Sequence, residues 1–484
     1  MSLPLLKLWR TLAQALGASL VLAVPAHAAD AGGSANGGMG WNAQTLESVA
    51  KVRGLEVRGL AHAWQLVQEN DPVYQAAASG LRAAQTERAK GCSNLLPAVS
   101  AGFYRSRIRG EQVRLDVPTA MNRAELDYDS QTVYIQLQQP LLNYRRYAEY
   151  ERGYALADSG EADFVVQEHQ RFLEMAEAYF RTVLAHETLA LDQSLVDSLK
   201  AQAAGQEALF QSAEGSRIDA QEVRTRLALA EADVIRDRDE LETALRELQS
   251  MLGRTPNVIA GLGKDFQPLP LEPQGLAQWL ELAQTGNAEL RAARMRLRVA
   301  DANVSRARAR HLPELDLIAG WSKADSENLD TLSQNTNTFT VGVNLAIPIF
   351  SGGYDTATNA RARAEQRQAA EELKATLQKV EAEIVRHHTG VTGGAMRIAA
   401  LETAEESSRG ALEAARAAYQ YGQVSNLDVL KQQDTLHRTR HELARTRIGY
   451  TLSLLQLWTA AGVTNNEQLK RLDTALAAAI SPRN

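Results

Sequence analysis

The sequence predicts a mainly α-helical protein with a small β part. Long segments without glycine or proline carry apolar residues at alternating spacings of three and four, the pattern of helices packed side by side. Four short segments instead alternate apolar and polar residues, which indicates β-strands. Both kinds of segment occur twice in the same order, so one unit is duplicated within the chain.

The composition excludes several classes of protein. The chain has 484 residues, a formal net charge of −6, 23% charged residues and 6% aromatic residues, which does not fit a basic nucleic-acid-binding protein. Beyond the N-terminus, no apolar run is long enough for a transmembrane helix. The single cysteine, Cys92, can form no disulfide within the chain.

Residues 1–28 have the features of a secretory signal peptide. Basic residues precede an apolar stretch, and the sequence AHA at its end is an A-x-A cleavage site. The mature chain is therefore expected to leave the cytoplasm. Residues 29–59 begin with many small residues and are predicted to be flexible.

The two copies of the repeated unit are predicted at residues 60–253 and 276–463. LAHAWQLVQENDP in the first copy resembles LAQWLELAQTGNA in the second, and TVYIQLQQPLL resembles TVGVNLAIPIF. Each copy follows the order helix, strand, polar loop, strand, very long helix, second long helix. Residues 254–275 are rich in proline and glycine and are predicted to be a linker. Residues 464–484 are predicted to be a C-terminal tail.

Long helices dominate each copy. A helix from Leu141 to Ala213 would be on the order of 100 Å long at about 1.5 Å per residue, longer than a compact domain needs. The seam of the next helix, within residues 223–252, is interrupted by Asp237, so packing there must differ or admit water. Gly390, Gly393 and Gly394 are expected to interrupt the very long helix of the second copy as a bend.

Strands are predicted at residues 97–108 and 131–139 in the first copy, and at 312–322 and 338–347 in the second. Each has about the ten residues that cross a bilayer as a tilted strand. The second strand of each copy has an apolar face that is predicted to contact lipid, formed by Val133, Ile135, Leu137, Val341, Val343, Leu345 and Ile347.

A small sheet packed on the helices of a soluble protein would explain the alternation equally well, because strand alternation is a weak membrane signal. Two arguments favour the membrane. The opposite faces carry Gln, Tyr, Asn and Thr, which suit a water-filled lumen. Four strands cannot close a barrel, which needs roughly eight or more, and open strand edges are not tolerated in lipid. Several chains must then share one barrel, and three chains would supply twelve strands.

These motifs, in this order, resemble the TolC family of outer-membrane channel proteins. The resemblance covers residues 60–463 and includes LP at the first strand of each copy, PLL or PIF after the second, and YQYGQVSNLDVLKQQ from Tyr419. It implies a homotrimer with a shared twelve-stranded β-barrel in the outer membrane and a long α-helical barrel in the periplasm. It also implies two partners, a periplasmic adaptor protein and an inner-membrane ABC or proton-driven transporter.

The expected function is an outer-membrane export channel. Many drug-efflux members of the family carry a lipidated cysteine that this chain lacks, which favours the outer-membrane component of a type I protein secretion system. A multidrug efflux pump remains an alternative, so the cargo is an exported protein or a drug. A soluble periplasmic coiled-coil adaptor would explain the helix seams but not the matched strand pairs. No enzyme activity, cofactor or nucleic-acid partner is predicted.

The resemblance further implies a gate where the long helices turn. Tyr419 and Asp428 match the family's tyrosine and first aspartate, whereas Lys431 replaces its second aspartate and Val424 its arginine. Gating is therefore expected to use a different set of links. Ser425 to Asp428 also fits an acidic capping box, and both roles are compatible. The equivalent turn of the first copy supplies the remaining gate candidates, Arg217, Asp219 and Glu222.

His437 and His441 are four residues apart and share one helical face. This spacing can place two imidazoles on one zinc ion. The sequence offers no glutamate between them to act as a base and no evident third ligand, so no metal site is predicted.

Overall fold

A computed structural model describes residues 55–113, 123–263, 266–326, 334–475 and 478–480. The predicted signal peptide, and the segment predicted to be flexible up to residue 54, lie outside the described residues. No helix in the described ranges is both long enough and apolar enough to span a membrane.

Helices of similar length occur in the same order in two successive parts of the chain. The first copy contains α1 (Leu60–Asn70), α2 (Pro72–Ser93), α3 (Tyr144–Gln211) and α4 (Arg217–Leu252), and the second contains α5 (Leu276–Gly286), α6 (Ala288–Ala309), α7 (Tyr354–Gln420) and α8 (Asn426–Ala461), followed by α9 (Asn466–Ala475). The strands are β1 (Leu55–Val57), β2 (Ala98–Val113), β3 (Arg123–Asn143), β4 (Pro256–Gly261), β5 (Glu314–Ser326), β6 (Gln334–Ala346) and β7 (Ala478–Ile480).

Helices α3 and α7 form the long axis of the helical part. They contain 68 and 67 residues, so each is about 100 Å long at 1.5 Å per residue. Toward their N-terminal ends they pack with α2 and α6, in the order α2, α3, α6, α7. Toward their C-terminal ends they pack with α4 and α8, in the order α4, α3, α8, α7.

The glycines at positions 390, 393 and 394 do not interrupt α7, contrary to the expectation from the sequence. A Cβ atom on Gly390 would lie 2.9 Å from the Ser453 hydroxyl, and one on Gly394 would lie 3.3 Å from the Tyr450 side chain. These two glycines therefore allow α7 and α8 to approach closely, and tertiary packing outweighs their low helix propensity.

A second, small sheet is formed by three segments that lie outside the two copies. β1 pairs with β4 in parallel, and β4 pairs with β7 in antiparallel fashion. The Asp473 carboxylate of α9 accepts hydrogen bonds from the backbone N–H groups of Leu60 (2.6 Å) and Ala61 (3.1 Å), and so caps α1, which has no side-chain cap of its own. The segments predicted to be a linker and a tail thus contain β4, α9 and β7, and the tail docks on the start of the first copy.

The larger sheet has the strand order β2-β3-β5-β6, and all its neighbours are antiparallel. β2 and β3 contain 16 and 21 residues, more than predicted, so the polar loop expected between them is shorter. The extension of β3 carries carboxylates that pair with arginines of β2: Asp129 lies 2.9 Å from Arg105, and Asp127 lies 2.9 Å from Arg107. Such cross-strand ion pairs stabilise a hairpin even where neither of its faces is apolar.

Candidate functional site

One face of the four-stranded sheet is apolar across all four strands. Leu137 of β3 lies opposite Ala319 of β5, which lies opposite Val341 of β6. On the other side Leu137 lies opposite Val99 of β2. The predicted lipid-facing residues of β3 and β6 therefore lie on one face, except Ile347, which follows the end of β6.

This apolar face is uncovered within the single chain. Val341, Val343 and Leu345 are 59%, 66% and 58% exposed. A contiguous exposed apolar surface of this kind requires a partner or a membrane to cover it. At one end of the face an aromatic pair, Trp321 and Phe339, lies directly before Lys323 and Asn337. Aromatic residues commonly occupy this boundary in membrane barrels.

The opposite face of the sheet is polar. Gln136 of β3 lies opposite Gly320 of β5, which lies opposite Thr340 of β6. Further along, the Gln138 amide donates a hydrogen bond of 2.9 Å to Asp316, which lies opposite Asn344. Polar side chains therefore lie on the face of the sheet opposite the apolar residues.

The sheet has two open edges, β2 and β6. Because each neighbour along the sheet is antiparallel, these two edge strands run in opposite directions. The β6 edge of one copy can therefore pair in antiparallel fashion with the β2 edge of another. Such pairing satisfies backbone N–H and C=O groups that lipid cannot.

At the opposite end of α3 and α7, the turn into α8 begins with a capping box. The Ser425 hydroxyl accepts a hydrogen bond of 3.2 Å from the Asp428 amide, and the Asp428 carboxylate accepts from the Ser425 amide (3.2 Å) and hydroxyl (2.6 Å). The hydrogen bonds from Ser425, with the nearby charge of Lys431, hold the pKa of Asp428 below its ordinary value. Asp428 and Lys431 are 3.8 Å apart, so their ion pair is loose.

Tyr419 is the second-last residue of α7, and its hydroxyl accepts a hydrogen bond of 2.7 Å from the Gln206 amide of α3. Nearby, the Gln202 amide of α3 donates to Gln433 of α8 at 2.7 Å. These contacts connect the first copy to the second close to the turns.

The gate candidates of the first copy form few side-chain contacts. Among the described residues, neither Arg217 nor Asp219 forms an ion pair, and Glu222 lies 3.8 Å from Arg226 on the same helix. The bond to the second copy is made by Arg226, which pairs with Asp434 of α8. The sequence analysis did not predict these links. Gln206 and Gln433 are polar residues at apolar seam positions of α3 and α8, and such polar residues can be recognised from sequence alone.

His437 and His441 meet a third group that sequence reasoning did not find. The Nε2 atoms of both rings lie 2.7 and 2.8 Å from one carboxylate oxygen of Asp192 on α3, which is 249 residues before His441. Asp237 of α4 contacts Asp192 as well. Burial and this carboxylate contact raise the pKa of Asp237 to about 6. Burial alone would raise the pKa of Asp192 too, but hydrogen bonds with His437 and His441 bring it below its ordinary value.

Comparison with known proteins gives a consistent result. The sequence model of a family described as outer membrane efflux protein matches residues 63–254 and 279–463. The alkaline protease secretion protein AprF of Pseudomonas aeruginosa is 30% identical over 418 residues, which cover 85% of this chain and 86% of AprF. The proteases secretion protein PrtF of Dickeya chrysanthemi is 29% identical over 425 residues, covering 86% and 91%. The crystal structure of the outer membrane protein VceC of Vibrio cholerae has the same fold, with a TM-score of 0.70, 19% identity, and coverage of 83% of this chain and 96% of VceC.

Proposed function

Because the chain belongs to the outer membrane efflux protein family, we propose that it is the outer-membrane exit channel of a type I protein secretion system. The protein is an outer-membrane channel with a long helical part in the periplasm. Membership of this family is incompatible with the soluble adaptor considered from the sequence. The observation that carries the choice of cargo is the similarity to two protease secretion proteins over more than four-fifths of the chain.

We propose that three copies close one barrel. The open β2 and β6 edges run in opposite directions, so copies can pair in a ring without an unpaired edge. Three copies give twelve strands, above the roughly eight that a barrel needs. The apolar sheet face then contacts hydrocarbon, and the polar face with Gln136 and Thr340 lines a wet lumen. The helical parts of the three copies continue this conduit into the periplasm.

The conduit needs partners to supply energy and cargo. No segment of the chain has a nucleotide-binding motif, and we propose that the protein itself catalyses no reaction. An inner-membrane ABC transporter would provide the energy, and a periplasmic adaptor would connect it to the helical barrel. The adaptor can open the channel only if it binds the open arrangement more tightly than the closed one.

Disruption of the gene in its own host tests the proposal. We expect particular proteins to disappear from the culture medium and to return when the gene is supplied on a plasmid. Susceptibility to dyes and small drugs should stay unchanged. Drug hypersensitivity with an unchanged set of secreted proteins would overturn protein secretion in favour of small-molecule efflux.

We further propose that the turn region is the gate. Gln206 with Tyr419, and Arg226 with Asp434, connect helices of the two copies near the turns at the C-terminal ends of α3 and α7. Asp428 supports the same end by fixing the start of α8 through its capping box. Loss of these contacts would favour the separation of the helix pairs.

Tyr419→Phe and Asp428→Ala are expected to raise ion conductance through purified channels in a planar bilayer. Each removes about 1 kcal/mol of closing interaction per chain, so three coupled copies would shift opening by about a hundredfold. Tyr421→Phe is the matched control, because Tyr421 lies two positions away and is 80% exposed. Unchanged conductance in both test variants would exclude a gating role for these residues.

A further inference from the structure

Four side chains meet between α3, α4 and α8, about midway along α8. Asp192 of α3 contacts the Nε2 atoms of His437 and His441, and Asp237 of α4 completes the group. The donor atoms of Asp192, His437 and His441 all lie within 4.8 Å of one another. We call these four residues the Asp–His cluster.

The cluster forms a polar layer within an otherwise apolar seam. On α3, Asp192 stands between the buried Leu189 and Val196, and on α4, Asp237 stands between Val234 and Leu241. One apolar layer, with Leu189 and Leu241, packs on one side of the cluster. Another, with Val196 and Leu430, packs on the other side. Asp237, the polar residue in the seam of α4, therefore lies at the same level as the polar residues of α3 and α8.

When both histidines are neutral, the cluster holds two carboxylates and only one neighbouring cation, Arg236. Asp192 and Asp237 are 3% and 6% exposed, and one oxygen of Asp237, Oδ2, is buried without a hydrogen-bond partner. Arg236 pairs with the other oxygen at 3.1 Å, but its side chain is 67% exposed. Two carboxylates in contact in a buried layer repel each other unless a proton or a cation lies between them. Asp237 Oδ2, which has no hydrogen-bond partner, can coordinate such a cation.

We propose that the Asp–His cluster binds a divalent transition-metal ion of the zinc type. The Nε2 atoms of His437 and His441, one turn apart on α8, would supply two ligands, and the carboxylates of Asp192 and Asp237 would supply two more. This set of nitrogen and oxygen donors suits Zn²⁺ and excludes a preference for Ca²⁺ or Mg²⁺, which take oxygen ligands.

The geometry needs only small adjustments. Ligands of a tetrahedral zinc ion at about 2.0–2.1 Å stand about 3.3 Å apart. The Asp192 oxygen now lies 2.7 and 2.8 Å from the two histidine nitrogens, so shifts of these three side chains by about half an ångström admit the ion. The Asp237 carboxylate, which contacts Asp192, would turn toward the ion as the fourth ligand. Arg236 can turn toward solvent. The His437 and His441 side chains are 21% and 25% exposed at surface grooves, which gives the ion a route in.

Metal binding would connect the two copies of the repeated unit. Asp192 and Asp237 belong to the first copy, and both histidines belong to the second. An ion held by all four side chains would stabilise this packing of α3 and α4 against α8. A ligand that binds only the folded arrangement raises the unfolding temperature with its concentration.

Zinc binding to the full-length protein, purified in detergent and freed of metal, tests the proposal. We expect one Zn²⁺ per chain by equilibrium dialysis, and Co²⁺ in its place should give the strong visible absorption of a tetrahedral site. Asp192→Asn, which is nearly isosteric, and the double variant His437→Ala, His441→Ala should each lower zinc affinity by about a hundredfold or more. Zinc should raise the unfolding temperature of the unmodified protein but not of Asp192→Asn.

The double variant His62→Ala, His311→Ala is the matched control, because it removes two histidines far from the cluster. It should bind zinc as the unmodified protein does. If Asp192→Asn, or a folded His437→Ala, His441→Ala variant, binds as much zinc as the unmodified protein, the site is not this cluster. Absence of stoichiometric binding to the unmodified protein in the micromolar range would equally overturn the proposal.

Discussion

Val343→Arg is expected to prevent stable assembly in the outer membrane, whereas Asn344→Arg is expected to leave assembly intact. Val343 lies in the middle of the apolar run of β6 and opposite Leu317, so the proposed barrel places it in hydrocarbon. An arginine near the bilayer midplane costs about 2–4 kcal/mol in a membrane strand, and the cost recurs in every copy of a closed barrel. Three copies would together lose about as much free energy as a typical domain has in total, about 5–15 kcal/mol.

The neighbouring position provides the control. Asn344 lies on the polar face, opposite Asp316, so an arginine there would meet a carboxylate and the water of the lumen. The measurement is the amount of protein that stays in the outer-membrane fraction after a carbonate wash, together with its mass in detergent. If both variants assembled equally well, or Asn344→Arg were the more damaging, the assignment of the two faces would be wrong.

Periodicity in the sequence predicted the elements of this fold better than it predicted their ends. The alternating residues 131–139 lie within β3, and residues 338–346 lie within β6, because a sheet with one apolar face repeats every two residues. The sequence predicts no strand in residues 109–130, because charged residues such as Arg109 and Asp127, which form an ion pair, conceal the alternation there. The three-residue strands β1 and β7 are too short to show a period, so the small sheet could not be predicted.

The candidate gate and metal-site residues divide in a similar way. Tyr419 and Asp428 were found by resemblance, and the capping box by its local spacing. Their partners on the other copy, such as Gln206, were missed because the alignment of α3 against α7 and α8 depends on tertiary packing. Asp192 was missed for the same reason. Asp237 in the apolar seam of α4 indicates a polar layer at this level of the helices. The sequence alone does not show which residues of the other helices contact it.

Arg171→Met is expected to destabilise the helical part by about 3–5 kcal/mol, the usual cost of removing one partner of a buried ion pair. Asp71 is 1% exposed, and the Arg171 guanidinium contacts both of its oxygens at 2.7 and 2.9 Å. Asp71 also caps α2 by accepting from the Tyr74 amide at 2.9 Å. Removal of Arg171 would leave this buried carboxylate without its cation, and a lower urea midpoint would measure the loss.

The second copy of the repeated unit suggests the compensating change. Asn287 occupies the position of Asp71 there and caps α6 with a neutral side chain, accepting from the Leu290 amide at 2.8 Å. The double variant Asp71→Asn, Arg171→Met keeps a cap and leaves no buried charge, so it should recover most of the stability lost in Arg171→Met. A double variant no more stable than Arg171→Met would show that the loss arises from packing of the arginine stem.

The pH dependence of the urea midpoint is an independent way to distinguish the loss of the arginine charge from the loss of its packing. In the unmodified protein, burial would raise the pKa of Asp71, but hydrogen bonds and charge from Arg171 and the α2 amides lower it below 3.8. Its stabilisation is therefore present above that pH and is lost as the pH falls through the lowered pKa. In Arg171→Met, burial is opposed only by the hydrogen bonds from the α2 amides, so the pKa of Asp71 is higher than in the unmodified protein. The penalty therefore applies at neutral pH and shrinks as the carboxylate is protonated. The difference in urea midpoint between the two proteins should therefore shrink as the pH is lowered toward 4, whereas a packing defect would persist unchanged.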